Sequence, residues 1–221
     1  MSPRNINHGS IAALAVLFAV SVMAGSIDAA LVSVSGPLSS AGTAPAIIAA
    51  PSDILDDFVV NAAMQGFDEA QNVVTTVAHT HDSGVIPVGT LVNSHMIFLN
   101  SEGTAELLHN DVVWIFANPV LAVMSDGDGD FEASSTFELG APGTNYTVTF
   151  PGSGPAAPFG ARGMEGSDFC VIAANQITVG MQVGEPGDWI RVITAPEPST
   201  ALLLTGIALG LISWRKRPRV S

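Results

Sequence analysis

Residues 201–214 form an apolar segment without a charged side chain, and this segment limits how much of the chain can enter a globular fold. A helix that crosses a bilayer needs roughly 20 apolar residues, so the segment is short but of the right character. Four of the seven basic residues of the chain follow it: Arg215, Lys216, Arg217 and Arg219. Basic residues beside an apolar helix favour the cytoplasmic side of a membrane. We therefore expect a transmembrane helix with a basic stop, outside any soluble domain.

A rigid tripeptide, Pro196-Glu197-Pro198, precedes the apolar segment. Each proline fixes its own φ and disfavours helix at the residue before it, so the tripeptide predicts an extended linker. The order of motif, short apolar helix and basic end resembles the PEP-CTERM sorting tail of exported bacterial proteins. The resemblance implies that residues 196–221 are recognised by an exosortase, a sorting protease of the inner membrane. The alternative is an ordinary tail anchor that no protease cleaves.

The N-terminus has the pattern of a secretory signal peptide. Arg4 precedes an apolar run at residues 11–24, and small residues follow that run. Cleavage after Ala29 makes residues 1–29 the signal peptide, and cleavage after Ala24 is the competing choice. An uncleaved anchor is the alternative. Either way, we expect export across the inner membrane as a membrane-anchored precursor that then reaches the cell surface or the extracellular matrix.

Residues 30–195 are strongly acidic once the two ends are set aside. Of the 20 acidic residues of the chain, only Asp28 and Glu197 lie outside this segment, which leaves 18. Arg162 and Arg191 are its bases, so its formal net charge is 2 − 18 = −16. Such a surface excludes nucleic acid as a partner, because nucleic-acid affinity comes from Lys and Arg beside phosphates. It also repels anionic polysaccharide unless a divalent cation bridges the two.

The length of residues 30–195 suits one domain, and the single cysteine excludes an intramolecular disulfide. Cys170 lies in an apolar run, which predicts a buried, inert thiol. Arg191 is one of two bases in an acidic domain, so we expect it to pair with a carboxylate in a structural role.

Short runs rich in Val, Ile, Thr and aromatic residues recur through the middle of the chain, separated by Gly, Pro, Asn and Asp. They predict an all-β domain built as an antiparallel β-sandwich, with a signal helix before it and a transmembrane helix after it. Residues 112–116 are apolar throughout, which indicates a strand covered on both faces. No segment between the two ends keeps a helical period with caps, and residues 38–51 suggest a poorly ordered leader. The predicted strands are 57–61, 72–79, 91–99, 105–108, 112–117, 121–124, 144–150, 169–173, 176–183 and 189–194.

Several fragments of the middle are similar to stretches in uncharacterised exported proteins that carry the same sorting tail. They begin at Gly66, Gly89, Leu139 and Gly187. This resemblance implies no activity and no site residues.

Asp126, Asp128 and Asp130 alternate with glycines and form the candidate metal site of the sequence. Ca²⁺ takes six to eight oxygen ligands, and alternating aspartates put such oxygens on one loop. The pattern departs from an EF-hand, which needs Gly and Glu where this chain has Phe131 and Phe137. The alternative is a solvated acidic turn between Met124 and a strand near Phe137.

His79 and His81 share a face of a strand and suggest a second, weaker metal site for Zn²⁺ or Cu²⁺. A third ligand would have to come from His95 or His109. The alternative is a polar strand end. Nucleophilic catalysis has no motif in the middle, and although carboxylates are numerous enough for a glycosidase-like pair, a solvated acidic surface explains the same number.

Two hypotheses of function follow. The leading one is a non-enzymatic surface or matrix protein, delivered by the exosortase pathway and associated with the envelope or extracellular polysaccharide. It needs no cofactor. The alternative is a carbohydrate-binding β-sandwich, calcium-dependent through the aspartates, with Trp114 or Trp189 stacking on sugar.

Overall fold

The computed structural model describes residues 30–55, 59–102, 105–146, 162–184 and 187–196. The predicted signal peptide 1–29, the transmembrane segment and the basic stop lie outside these ranges. Within them, no helix is both long enough and apolar enough to cross a bilayer. Residues Ala29–Pro196 form one compact unit.

The all-β prediction is confirmed in its coarse form, because strands dominate the described residues and one short helix accompanies them. The elements are β1 (Leu31–Ser35), β2 (Ala46–Ile47), β3 (Gln65–Asp68), β4 (Val73–Val74), β5 (His79–His81), β6 (Gly84–Ile86), β7 (Leu91–Leu99), β8 (Leu107–Phe116), β9 (Val120–Met124), α1 (Asp130–Leu139), β10 (Phe169–Ala173), β11 (Gln176–Val183) and β12 (Asp188–Thr194).

The strands form two larger sheets and a small hairpin. The first sheet has the order β1-β8-β11-β10 and is antiparallel throughout. The second sheet has the order β2-β3-β7-β12-β9, and β4 also pairs with β7. Its pairs are antiparallel except β2 with β3, which is parallel. Strands β5 and β6 pair only with each other among the described residues.

One apolar core draws side chains from both larger sheets. The first sheet contributes Leu31, Leu107, Val112, Trp114, Phe116, Ile177, Val179, Met181 and Val183, and the second contributes Ile97, Leu99, Val123, Ile190 and Val192. The second sheet is also covered on its other face, where Phe67, Met96, Phe98 and Trp189 form a further cluster with Ile54 and Tyr146. Every residue of β12 is therefore buried.

The predicted strands at 91–99, 169–173 and 176–183 match β7, β10 and β11 residue for residue. Those at 121–124 and 189–194 are each one residue shorter than β9 and β12. The runs 105–108 and 112–117 join into the single strand β8, in which Asp111 has a positive φ of 56°. The polar residues at this irregular point interrupt the apolar pattern, so the sequence predicted two strands where the structure has one.

Other strand predictions were wrong where the described residues test them. The run 72–79 holds only the two-residue β4 and the start of β5, because a turn separates them. The predicted strand 57–61 falls partly outside the described residues, and residues 59–61 are not extended in a sheet. Of the run 144–150, residues 147–150 lie outside the described ranges and Asn145 makes an isolated bridge to Asp53. Residues 112–116 are fully buried at alternate positions only, since Val113 and Ile115 stay half-buried.

Helix α1 replaces the strand predicted near Phe137, and the acidic turn is limited to the residues before Asp130. Its buried positions are Glu132, Ser135 and Leu139, and two of these are polar. The helix therefore has no apolar stripe for the sequence to reveal. The predicted leader is also wrong, because residues in 38–51 contribute β2 and the buried Ser39, whose hydroxyl donates to the carbonyl of Ala62.

Candidate cation site at the start of the helix

Asp126 lies at the beginning of the turn between β9 and α1, and its side chain caps the helix that follows. Its carboxylate accepts the backbone N–H groups of Asp130 and Phe131, each at 2.9 Å. Its carbonyl accepts the N–H of Gly129, which has a positive φ of 68°. These bonds satisfy N–H groups that otherwise lack hydrogen-bond partners at the start of a helix. Asp128 and Asp130 are exposed, so the three aspartates predicted as one ligand set have different surroundings.

Glu132 is a buried carboxyl that the sequence analysis did not single out. Its side chain is 0% exposed, and neither of its oxygens has a hydrogen-bond partner among the described residues. The carboxyl lies within hydrogen-bonding range of the Asp126 carboxyl. Burial, and then the neighbouring Asp126 charge, raise the pKa of Glu132 well above its usual range.

The positive charge of Arg191 lowers the pKa of the Glu132 carboxyl, but the N–H groups of Arg191 donate to other acceptors. Its Nε and Nη2 donate to the two oxygens of Glu69 at 2.7 and 2.9 Å. Its Nη1 donates to the Glu132 carbonyl oxygen and to Ser135, and Nη2 also donates to Thr136. The predicted pairing of Arg191 with a carboxylate is thus confirmed, and the guanidinium fixes the backbone of α1 to the second sheet.

A second pair of carboxyl groups joins Asp168, in the neighbouring loop that leads to β10, to Asp188 at the start of β12. Asp188 is 3% exposed and lies within hydrogen-bonding range of Asp168. Burial, then the charges of Asp168 and Glu165, raise the pKa of Asp188 to about 9, although Arg162 opposes the shift. This loop packs closely on the acidic turn, because a Cβ on Gly163 would lie 1.5 Å from the Asp126 carbonyl oxygen.

The histidines proposed as zinc or copper ligands bind protein groups instead. His79 Nε2 lies 2.6 Å from Glu138, and His109 bonds the N–H of Met64 through Nδ1 and the carbonyl of Pro37 through Nε2. His81 Nδ1 accepts the N–H of Ser83. No group of three His, Cys, Asp or Glu side chains arranged for a metal occurs in the described ranges.

Asp68, His95 and Thr194 form a chain that has the order of a hydrolase triad. Asp68 Oδ1 lies 2.6 Å from His95 Nδ1, and His95 Nε2 lies 3.1 Å from the Thr194 hydroxyl. His95 and Thr194 are both buried, so a substrate has no approach to the hydroxyl. The chain links β3, β7 and β12, and its geometry fits a structural role.

Both tryptophans proposed to stack on sugar are inside the protein. Trp114 belongs to the apolar core to which both larger sheets contribute, and Trp189 belongs to the further cluster with Phe67, Met96 and Phe98, each 0% exposed. The Trp189 indole N–H donates to Asn100 at 3.1 Å, and the Arg162 guanidinium lies 4.4 Å from its ring centre. Neither indole offers a platform for a carbohydrate.

Cys170 is half-buried, and burial together with the Asp82 charge raises the pKa of its thiol to about 12. The raised pKa favours the protonated thiol, a poor nucleophile, but Cys170 is only half-buried where full burial was predicted. Pro196 ends the described part of the chain. Glu197, Pro198 and the basic stop at Arg215, Lys216, Arg217 and Arg219 lie outside the described residues.

Comparisons with protein-family models, with curated proteins and with solved structures find no match to this chain.

Proposed function

We propose that the protein is a non-enzymatic cell-surface or extracellular-matrix protein, exported and then sorted through a C-terminal PEP-CTERM signal. Its partners are an exosortase and the inner membrane during sorting, and the envelope or extracellular polysaccharide afterwards. The bridging of two acidic surfaces, those of the domain and of an anionic polysaccharide, requires divalent cations.

The observation that carries this proposal is where the folded unit ends. The last strand, β12, lies between β7 and β9 in the second sheet and ends at Thr194. The next residue is also held, because the N–H of Ala195 donates to the carbonyl of Pro119 and its carbonyl accepts from Asn93. The motif begins at Pro196, so cleavage at or after it would leave every strand of the domain intact.

We further infer that the two larger sheets pack face to face as a β-sandwich. The core shared by the two sheets supports this arrangement, since side chains from β8 and β11 meet those from β7 and β12. A non-enzymatic role is supported by the burial of the Asp68–His95–Thr194 chain. The carbohydrate-stacking alternative has lost both of the tryptophans on which it depended.

The test is a substitution within the motif in a bacterium that has an exosortase. Glu197→Ala should leave uncleaved precursor in the inner membrane, and an exosortase-deficient host should accumulate the same precursor from the wild-type chain. Glu102→Ala, a change of the same kind at an exposed position of the domain, is the matched control and should be processed normally.

Fractionation with antibodies against the domain separates the outcomes. Equal membrane retention in wild type, Glu197→Ala and the deficient host would show an ordinary tail anchor and overturn the sorting proposal. Protease resistance of the domain, measured on each sample, verifies that the substitution acts on sorting and leaves folding unchanged.

A further inference from the structure

The carboxyl groups of Asp126 and Glu132 face each other without a donor between them. Glu132 is wholly buried, and its two oxygens lack partners among the described residues. Burial of a carboxylate without a hydrogen bond or counter-charge is energetically unfavourable, so native proteins rarely contain one. A proton or a metal cation between the two groups would remove this cost.

Among the residues that the structure describes, the neighbouring side chains donate no hydrogen bond to the Glu132 carboxyl. Arg191 has five N–H donors, and all five are used on Glu69, Ser135, Thr136 and the Glu132 carbonyl oxygen. The ion pair with Glu69 also neutralises the charge of the guanidinium. The hydroxyl of Thr136 donates to the same carbonyl oxygen and therefore does not donate to the Glu132 carboxyl.

We propose that Asp126 and Glu132 bind a divalent cation, Ca²⁺, at the junction of the acidic turn and helix α1. Carboxylate oxygens are hard ligands, and Ca²⁺ accepts the irregular, partly main-chain coordination that a turn can offer. Mg²⁺ fits less well, because it demands octahedral geometry and keeps its water shell. Carbonyl and water oxygens would complete the coordination.

The surroundings favour a cation in three ways. Asp126 already satisfies the N–H groups of Asp130 and Phe131, so the positive end of the helix is neutralised. Each Asp126 oxygen accepts one such bond and keeps a lone pair for a metal. Exposed Asp128 and Asp130 add negative potential at the entrance, without being ligands themselves.

The rival occupant is a proton. Glu132 could be a neutral acid that donates to Asp126, and the raised pKa of Glu132 is consistent with that state. The two occupants differ in an observable way. If a proton occupies the site, Ca²⁺ does not change the stability of the protein, and Glu132→Gln keeps that stability because Gln resembles the neutral acid. If a cation occupies the site, Glu132→Gln removes a charged ligand and weakens cation binding.

The experiment uses the full-length chain, purified in detergent and stripped of metal with a chelator. Isothermal titration calorimetry with CaCl₂ near neutral pH should give about one Ca²⁺ per chain, and Ca²⁺ should raise the melting temperature by stabilising the native state alone. Glu132→Gln and Asp126→Asn should each remove the calcium-dependent rise and weaken binding about tenfold or more. Asp128→Asn removes the same charge as Asp126→Asn from an exposed position and should keep the stoichiometry and most of the rise.

Two results would overturn the proposal. Absence of Ca²⁺ binding by the wild type, with Glu132→Gln equally stable, identifies the occupant as a proton. Equal losses in Asp128→Asn and Asp126→Asn would show diffuse attraction to an acidic surface. If Glu132→Gln fails to fold, Asp126→Asn decides alone, because the Asn oxygen still accepts one of the two helix N–H groups that Asp126 binds. A parallel MgCl₂ titration tests whether the site discriminates by coordination.

Discussion

Arg191 and Glu69 lie 122 residues apart in the chain and form a bidentate ion pair in which both side chains are 0% exposed. The hydroxyls of Ser94 and Tyr146 donate to the remaining lone pairs of Glu69 at 2.7 and 2.6 Å. The pair joins β12 to the segment after β3, and through Ser135 it also holds α1. One guanidinium thus organises three parts of the fold.

Removal of one partner should destabilise the domain strongly. Arg191→Leu leaves the Glu69 carboxylate buried without its counter-charge, and Glu69→Leu does the reverse, so each should lower the free energy of unfolding by about 3–5 kcal/mol. The double substitution should cost less than the sum of the two, because no buried charge is left alone. Urea denaturation of the four proteins measures this coupling, and strictly additive losses would contradict it.

The stability of the domain should fall as pH rises, in part because of Asp188. Its pKa is about 9 in the folded chain against 3.8 ordinarily, so between these values the folded state binds more protons than the unfolded state. The contribution is complete below about pH 4 and is lost as pH rises towards 9, at a slope of at most about 1.4 kcal/mol per pH unit.

Asp188→Asn should therefore flatten the pH dependence and make the domain more stable than the wild type at high pH. Melting curves recorded across this range check it, with Asp53→Asn, an acid outside both carboxyl pairs, as the control. Parallel wild-type and Asp188→Asn curves would show that the Asp188 carboxyl is ionised at no cost in the folded protein.

Ala174→Gly should stabilise the domain. Ala174 lies in the turn between β10 and β11 with φ 55°, a left-handed conformation that costs an L-residue about 1–2 kcal/mol and glycine almost nothing. Since glycine also increases the entropy of the unfolded chain, we expect a net gain of about 0.5–1 kcal/mol. Ala173→Gly, one position earlier in the strand, should instead lower stability, and chemical denaturation of both proteins compares them.

Gly187→Ala should destabilise the start of β12. An added Cβ would lie 2.4 Å from the Asn100 side-chain oxygen and from the Leu99 carbonyl oxygen, where backbone must shift to admit it. We expect a loss of about 1–3 kcal/mol, typical of overpacking. Gly184→Ala is the matched control, because a Cβ there meets nothing within 4 Å, and its melting temperature should stay close to that of the wild type. Equal effects at both positions would show that the contact relaxes freely.

Strand positions were predictable where the signal was local. The apolar, β-branched runs of β7, β10 and β11 are bounded by turn residues, so pattern alone located them. Helix α1 was not predicted because its buried face carries the polar residues Glu132 and Ser135, to which Arg191 donates hydrogen bonds. Residues 112–116 were predicted to be covered on both faces because all of them are apolar. That prediction was wrong, since an apolar strand need not be covered on both faces.

The candidate site divides along the same line. Asp126 was found from the sequence because alternating aspartates are a local pattern, while Glu132 needed the structure to show that its carboxyl is buried and turned towards Asp126. The sequence by itself determined the β-rich middle and predicts that this middle is separate from the two apolar ends, since alternation and hydropathy act over neighbouring residues. Only the tertiary structure decided which charges meet, because Glu69 and Arg191 come together through sheet pairings between distant segments. Burial in that structure then sets the free energy required to keep each group charged.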